Sequence, residues 1–198
     1  MLAASASAST IQWNTNQSGT AFTAYAGYTL IDSGLGLQIA SGSGNIQIVF
    51  EPNSSTGTTT PSNIDLGYFQ VYCNACATTS MPSFTFDLEV EDTTDNDATG
   101  TFVGTYSGVA SIGPSSSGVD VVWATPLQIG PGGDFGDTYF TIETETDLVD
   151  PSSGDPAGRT TVEGTVHSSS GTVPEPATMA LAGGLLIGLG GLARKRRK

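Results

Sequence analysis

Between residues 83 and 91 every second side chain is apolar. Phe84, Phe86, Leu88 and Val90 alternate with Thr85, Asp87, Glu89 and Glu91. Successive side chains of an extended chain point to opposite faces, so this pattern suits a strand with one face buried and no other regular element. Ile46, Ile48 and Phe50 repeat it within residues 45–51. Shorter runs with the same period cover residues 11–14, 28–31, 37–40, 66–72, 101–106, 119–124, 138–145 and 160–167. Clusters of Gly, Pro, Ser, Asn and Asp separate them, notably 53–62, 113–118 and 130–136, and such clusters punctuate strands. No helical period is visible before residue 177. The pattern predicts an all-β fold over residues 10–167, an antiparallel β-sandwich of jelly-roll-like form. About 150 residues suffice for one domain with a real core. The low charge and many small polar residues would suit a disordered chain, but the alternating aromatic and β-branched residues supply the apolar surface that disorder lacks.

Charge narrows the function. The chain carries a net −13, and its bases are crowded at the C-terminus. Ahead of residue 174, Arg159 stands alone against eighteen carboxylates. Such a surface repels phosphate backbones and excludes nucleic acid as a partner. It favours solubility and divalent cations.

The C-terminal residues have a different physics. Residues 177–193 are seventeen uncharged residues, five of them glycine. As an α-helix they span about 26 Å, near the lower limit for a hydrocarbon core of ~30 Å. Lipid cannot satisfy free backbone groups, so a single C-terminal transmembrane helix is predicted there. It is short and weakly apolar, which suits a temporary anchor in the inner membrane. The basic stop, Arg194, Lys195, Arg196, Arg197 and Lys198, would remain cytoplasmic and leave the rest of the chain outside. Ala180, Gly184 and Gly188 share one helix face, where small residues admit a second helix. Just ahead lies the box Val173, Pro174, Glu175 and Pro176. Each proline lacks a donor and pushes the residue before it out of helix, so the box is an extended handle that a protease can grip. Residues 168–172 read as a polar linker.

Box, glycine-rich span and terminal basic cluster together resemble the PEP-CTERM sorting signal of Gram-negative envelope proteins. The resemblance implies recognition by an exosortase, a membrane-embedded cysteine protease-transpeptidase, followed by removal of the hydrophobic tail. It also implies export and association with exopolysaccharide or biofilm matrix. Within the domain, Asp65-Leu66-Gly67-Tyr68-Phe69, Asn74 and residues 84–90 resemble the choice-of-anchor extracellular β-domains, which implies the same fold class and supplies no site. At the other end, Ala4-x-Ala6 and Ala6-x-Ala8 are similar to a signal-peptide cleavage region without the basic and apolar stretches that precede one. Residues 1–9 are therefore expected to be a remnant of that region, with the true start upstream.

Few residues suggest chemistry. Cys73 and Cys76 are the only cysteines, and an exported chain is expected to join them in a disulfide. So short a loop gains only about 1–2 kcal/mol from closure. A redox role would want a helix N-terminus, and zinc would want two more ligands than the distant His167 supplies. Asp95, Asp97 and Thr99 fall at positions one, three and five ahead of Gly100, the first half of a calcium loop. Tyr106 occupies the place of the twelfth-position glutamate, so Asp92 or the 133–137 loop would have to complete the set. The alternative is an acidic hairpin turn. His167 borders a serine-rich stretch and makes a poorly held general base. Paired carboxylates are the only other route to hydrolysis. Trp13, Trp123, Tyr68, Tyr72 and Tyr106 are candidates for a sugar platform. Trp123 sits among valines and suits the core; Trp13 suits the surface. The reading is an exported, non-enzymatic envelope or matrix protein without cofactor, calcium aside. A carbohydrate-binding module with the same delivery is the alternative, and a secreted hydrolase the third.

Overall fold

The computed structural model describes residues 9–74, 78–94, 97–110, 118–149 and 157–168. The sorting box, the expected membrane helix, the basic end, residues 1–8 of the expected N-terminal remnant, residues 169–172 of the expected linker, Cys76 and Asp95 lie outside the described residues. What is described belongs to one compact unit, Ser9–Ser169.

Its strands run in the order β1 Thr10–Asn14, β2 Ala21–Phe22, β3 Tyr28–Ile31, β4 Gly36–Ser41, β5 Gly44–Pro52, β6 Ser54–Thr59, β7 Ser62–Asn74, β8 Thr79–Asp92, β9 Ala98–Ala110, β10 Val119–Trp123, β11 Gln128–Ile129, β12 Thr138–Ile142, β13 Glu145–Leu148 and β14 Ala157–Ser168. They form two antiparallel sheets, and among the described residues there is no α-helix. The first sheet is ordered β13-β10-β9-β8-β1-β6, with β2 pairing β8 beyond the end of β1. The second is ordered β11-β12-β14-β7-β5-β4-β3. The chain passes repeatedly from one sheet to the other, so sequence neighbours such as β6 and β7 lie in different layers. The all-β antiparallel sandwich expected from the alternation is what forms.

The alternating strings decide which face is buried. Phe84, Phe86, Leu88 and Val90 of β8 are all buried, facing Ile46, Ile48 and Phe50 of β5 and Phe69 and Val71 of β7 across the core. Six rings make the centre. Phe86 lies 5.0 Å from Phe50 and 5.1 Å from Phe69, and Tyr106 meets Phe69 edge-on at 5.5 Å, so both sheets share one aromatic cluster. Phe84 stacks on Tyr106 at 4.7 Å, and Phe22 fills the gap 4.7 Å from Phe86. Edge-on and offset contacts of this kind add to plain area burial.

Several elements escaped the sequence pattern: the two-residue strands β2 and β11 are too short to show a period, and β6 and β13 escaped for other reasons. β6 reads Ser-Ser-Thr-Gly-Thr-Thr, with no apolar side chain to mark a buried face. It is the outermost strand beside β1 and is held by backbone pairing. Residues 138–145 do not form one strand. The chain leaves the second sheet after Ile142 and enters the first at Glu145, with Thr144 accepting a bond from the Trp123 amide at 3.0 Å. Periodicity cannot mark such a change of layer, because the inward phase continues through it.

Trp13 is a correction: it is buried, not a surface platform. Its indole N–H donates to Thr58 Oγ1 at 3.2 Å, while the buried Trp123 donates to Thr146 Oγ1 at 3.0 Å. In each case a threonine of the outer strand satisfies the one polar atom of a buried indole. Tyr106 is the second correction, being fully buried in the aromatic cluster, which removes it from any platform. Its hydroxyl has no hydrogen-bond partner, and burial raises its pKa well above the ordinary 10.0. An unpaired buried hydroxyl costs about 1–3 kcal/mol. We therefore expect Tyr106→Phe to melt at or above the wild-type temperature at neutral pH. Because the folded-state pKa is raised, the neutral phenol's contribution is complete below the unfolded value near 10 and is lost as pH climbs beyond it. Thermal melts across that alkaline range should show a smaller loss for Tyr106→Phe.

Candidate functional site

The two outer faces of the sandwich differ. On the first sheet the outward carboxylates of β8 are engaged by the segment between β1 and β2. Glu89 accepts from the Gly19 amide at 2.8 Å, and Glu91 from Gln17 Nε2 at 2.5 Å. Further along, cross-strand pairing of β10 with β13 brings Asp120, Glu145 and Asp147 together, with carboxylate oxygens within 4.8 Å of one another. Glu145 and Asp147 are exposed, and like charges in facing positions weaken that ladder. The trio joins residues some twenty-five positions apart, and only strand pairing reveals it.

The outer face of the second sheet is more varied. Its middle strands β5, β7 and β14 are paired on both sides, so side chains alone define the surface. Pairing sets Gln38, Gln47 and Tyr72 in one row across β4, β5 and β7, and Gln70 beside Arg159 in the next. Gln47 Nε2 donates to Gln38 Oε1 at 3.0 Å, and the Tyr72 hydroxyl donates to Gln70 Oε1. The Arg159 guanidinium lies 3.5 Å from the centroid of the Tyr68 ring. Burial raises the Tyr72 pKa first, and the nearby Glu51, Tyr68 and Asp32 add to it, so this phenol stays neutral at physiological pH. Farther along the same face, Tyr139 stacks on His167 at 4.9 Å, and the His167 ring is 3.0 Å from Thr165 Oγ1. His167 is thus seated in β14, and Ser168, expected to open the linker, is the last residue of that strand.

A bulge divides this face. β7 places Leu66 and Gly67 opposite the single residue Val162 of β14. Gly67 has φ +131°, and a Cβ there would stand 2.4 Å from the Phe50 ring and 2.7 Å from the Glu51 carbonyl. No other residue fits that conformation and that space. The Asp65 carboxylate accepts from the Gly67 amide at 2.9 Å, Asn53 Nδ2 donates to the Asp65 carbonyl at 2.8 Å, and the Thr15 hydroxyl reaches the Leu66 carbonyl at 2.9 Å. On one side of the bulge lie Tyr68, Tyr72 and Arg159. On the other is a shallow depression of about 340 Å³, where Asp65, Glu143 and Glu163 gather among Asn63, Thr141, Thr161 and Thr165.

The remaining expected sites are less well gathered. Cys73 is half-buried near the end of β7, and Cys76, its expected partner, is outside the described residues. Of the calcium set, Asp97 sits in the β8–β9 turn with φ +53°. Thr99 and Gly100 already belong to β9, paired with Glu91 and Val90, so the second half of the expected loop is strand. The buried Tyr106 occupies the twelfth position.

A two-sheet β-sandwich ahead of a C-terminal address defines a class: an extracellular domain carried on a sorting tail. Residues 172–198 match the model of the PEP-CTERM protein-sorting motif, so the tail is a PEP-CTERM signal. That signal marks the chain as an exosortase-targeted extracellular protein, exported with a C-terminal membrane-anchored sorting tail. No curated protein and no solved structure matches the chain. The motif match leaves the sandwich uncovered, and no comparison supports the resemblance of residues 65–69, Asn74 and 84–90 to choice-of-anchor domains.

Two outcomes follow. Gly67→Ala should cost about 1–3 kcal/mol in urea unfolding, since it combines a left-handed φ with a backbone clash. Asp97→Gly should leave the melting temperature unchanged or higher, with and without millimolar calcium, because glycine suits that turn conformation. A calcium-dependent melting shift that Asp97→Gly abolishes would restore the metal assignment.

Proposed function

We propose that the sandwich is the non-enzymatic cargo of an exosortase pathway, delivered to the cell surface or extracellular matrix and associated there with exopolysaccharide. One observation carries this: the sorting motif at residues 172–198 follows within a few residues of β14, the last strand of the domain. In this reading Val173, Pro174, Glu175 and Pro176 are the handle that the protease grips outside the membrane. The span 177–193 is held only until cleavage, and Arg194 to Lys198 remain cytoplasmic. The acidic domain, with Arg159 as its sole base, stays soluble and clear of anionic lipid once the tail is gone. Oxidation outside the cell would join Cys73 to Cys76 and close the turn after β7.

The test is the intact mass of the secreted protein from cells with and without the exosortase. The product should lack its hydrophobic span and basic end only when the exosortase is present. Pro174→Ala/Pro176→Ala should accumulate uncut at the membrane, with the released product at least tenfold reduced. A released wild-type product that keeps Arg194–Lys198 would overturn this function.

A further inference from the structure

The outer face of the second sheet has a composition that folding alone does not require. The outward positions of the first sheet carry threonine and serine, as on β6, carboxylates engaged by the β1–β2 segment, as on β8, or the exposed Val103 and Val122 of β9 and β10. Here a half-exposed phenol ring, three primary amides and the only guanidinium ahead of the tail converge on central strands. We propose that this face, centred on Tyr72, Gln70, Gln47 and Arg159, is a binding platform for a neutral polysaccharide chain. This rests on the exopolysaccharide association proposed above and identifies the surface that makes it.

The chemistry of a sugar explains each part. A pyranose has an apolar C–H face and a rim of hydroxyls that both donate and accept. The apolar face needs a flat ring, and Tyr72 offers one beside the amides. The rim needs groups of mixed polarity. Gln70 accepts from Tyr72 through Oε1 and keeps its NH₂ to donate, whereas Gln47 donates to Gln38 and keeps Oε1 to accept. Those same bonds hold the two amides in fixed rotamers, so little side-chain freedom is left to lose on binding. Arg159 is steadied on the Tyr68 ring, which aims its planar set of donors without consuming them.

Geometry and charge specify the polymer. Neighbouring strands are about 4.8 Å apart, close to the length of one sugar unit, so the row Gln38–Gln47–Tyr72 on three adjacent strands suits successive units of an extended chain. Beyond Thr161 the same face continues into the polar depression of about 340 Å³, which lengthens the track. A polyuronate would meet Glu51 and Glu163 at the platform's margins, on a domain of strong net negative charge, so its own charge would oppose binding. A neutral polymer incurs no such repulsion.

The experiment separates matrix polysaccharide from the producing cells into neutral and acidic fractions by anion exchange. The secreted product, cut at its tail, is then run by affinity electrophoresis through gels containing each fraction. The neutral fraction should retard the wild type. Tyr72→Ala should bind at least tenfold more weakly, Arg159→Ala several-fold more weakly, and Tyr72→Phe within threefold of wild type. Val122→Ser, at an exposed position on the opposite outer face, should bind as the wild type does. Melting curves identify any variant that has lost its fold, and exposed Arg159 keeps the test alive if Tyr72→Ala proves unstable. No retardation by the neutral fraction, retardation by the acidic fraction alone, or undiminished binding by folded Tyr72→Ala and Arg159→Ala would each overturn the platform. A correctly cut product that fails to bind refutes the platform and leaves delivery by exosortase standing; an uncut released product refutes delivery whatever it binds.

Discussion

The sandwich depends on one shared cluster of rings. Phe50 and Phe69 come from one sheet, and Phe22, Phe84, Phe86 and Tyr106 from the other. Neither sheet can bury its apolar face alone, and a twisted antiparallel sheet has no other means of leaving water. Once these rings interlock, the inward phase of every strand they sit on is set, and the outward phase with it. A slip of one residue in β8 would send Phe84, Phe86, Leu88 and Val90 to solvent together. The cluster holds one unsatisfied hydroxyl, on Tyr106, a small cost beside the area its ring buries.

Because the core fixes register, it also determines what the outer faces present. Tyr72 and Gln47 are opposite one another only because Val71 and Ile48 are opposite one another inside. On the second sheet the departure is the bulge at Leu66–Gly67, which shifts phase once along β7 and so turns Leu66 inward on one side and Tyr68 outward on the other. That shift depends on a glycine at φ +131°, and the side chains of Asn53 and Thr15 take up the neighbouring carbonyls. A one-residue irregularity therefore divides the broad face into an aromatic, amide-rich half and an acidic half.

The sorting signal and the folded domain occupy separate stretches of the sequence. The sorting signal occupies residues 172–198, beyond the last strand, and uses proline stiffness, apolar length and terminal charge. The domain uses none of these: it has one basic residue and gains its stability from burial between sheets. Charge asymmetry follows from that division. Terminal bases suit a membrane-anchored sorting tail, and acids suit the solvent-facing surface of an extracellular domain.

Period-two alternation was enough to predict the long strands of the core, the two-layer class and the buried face of β5 and β8, but not β2, whose Phe22 joins the central rings. The reason is that strand geometry places every second side chain on one side whatever its partners. The sorting tail was legible for a similar reason, since length, hydrophobicity and terminal charge act locally. Other features were decided only by tertiary structure. β6 has no apolar face to announce it, and the split between β12 and β13 keeps the inward phase while changing sheet. Trp13 looked like a surface ring because no sequence signal reports the Thr58 hydroxyl that lets its N–H be buried. The gathering of Tyr72, Gln47 and Arg159, and of Asp120, Glu145 and Asp147, comes from pairing strands far apart in the chain. Cross-strand neighbours are a property of register, and register is settled when the two sheets close on their common core.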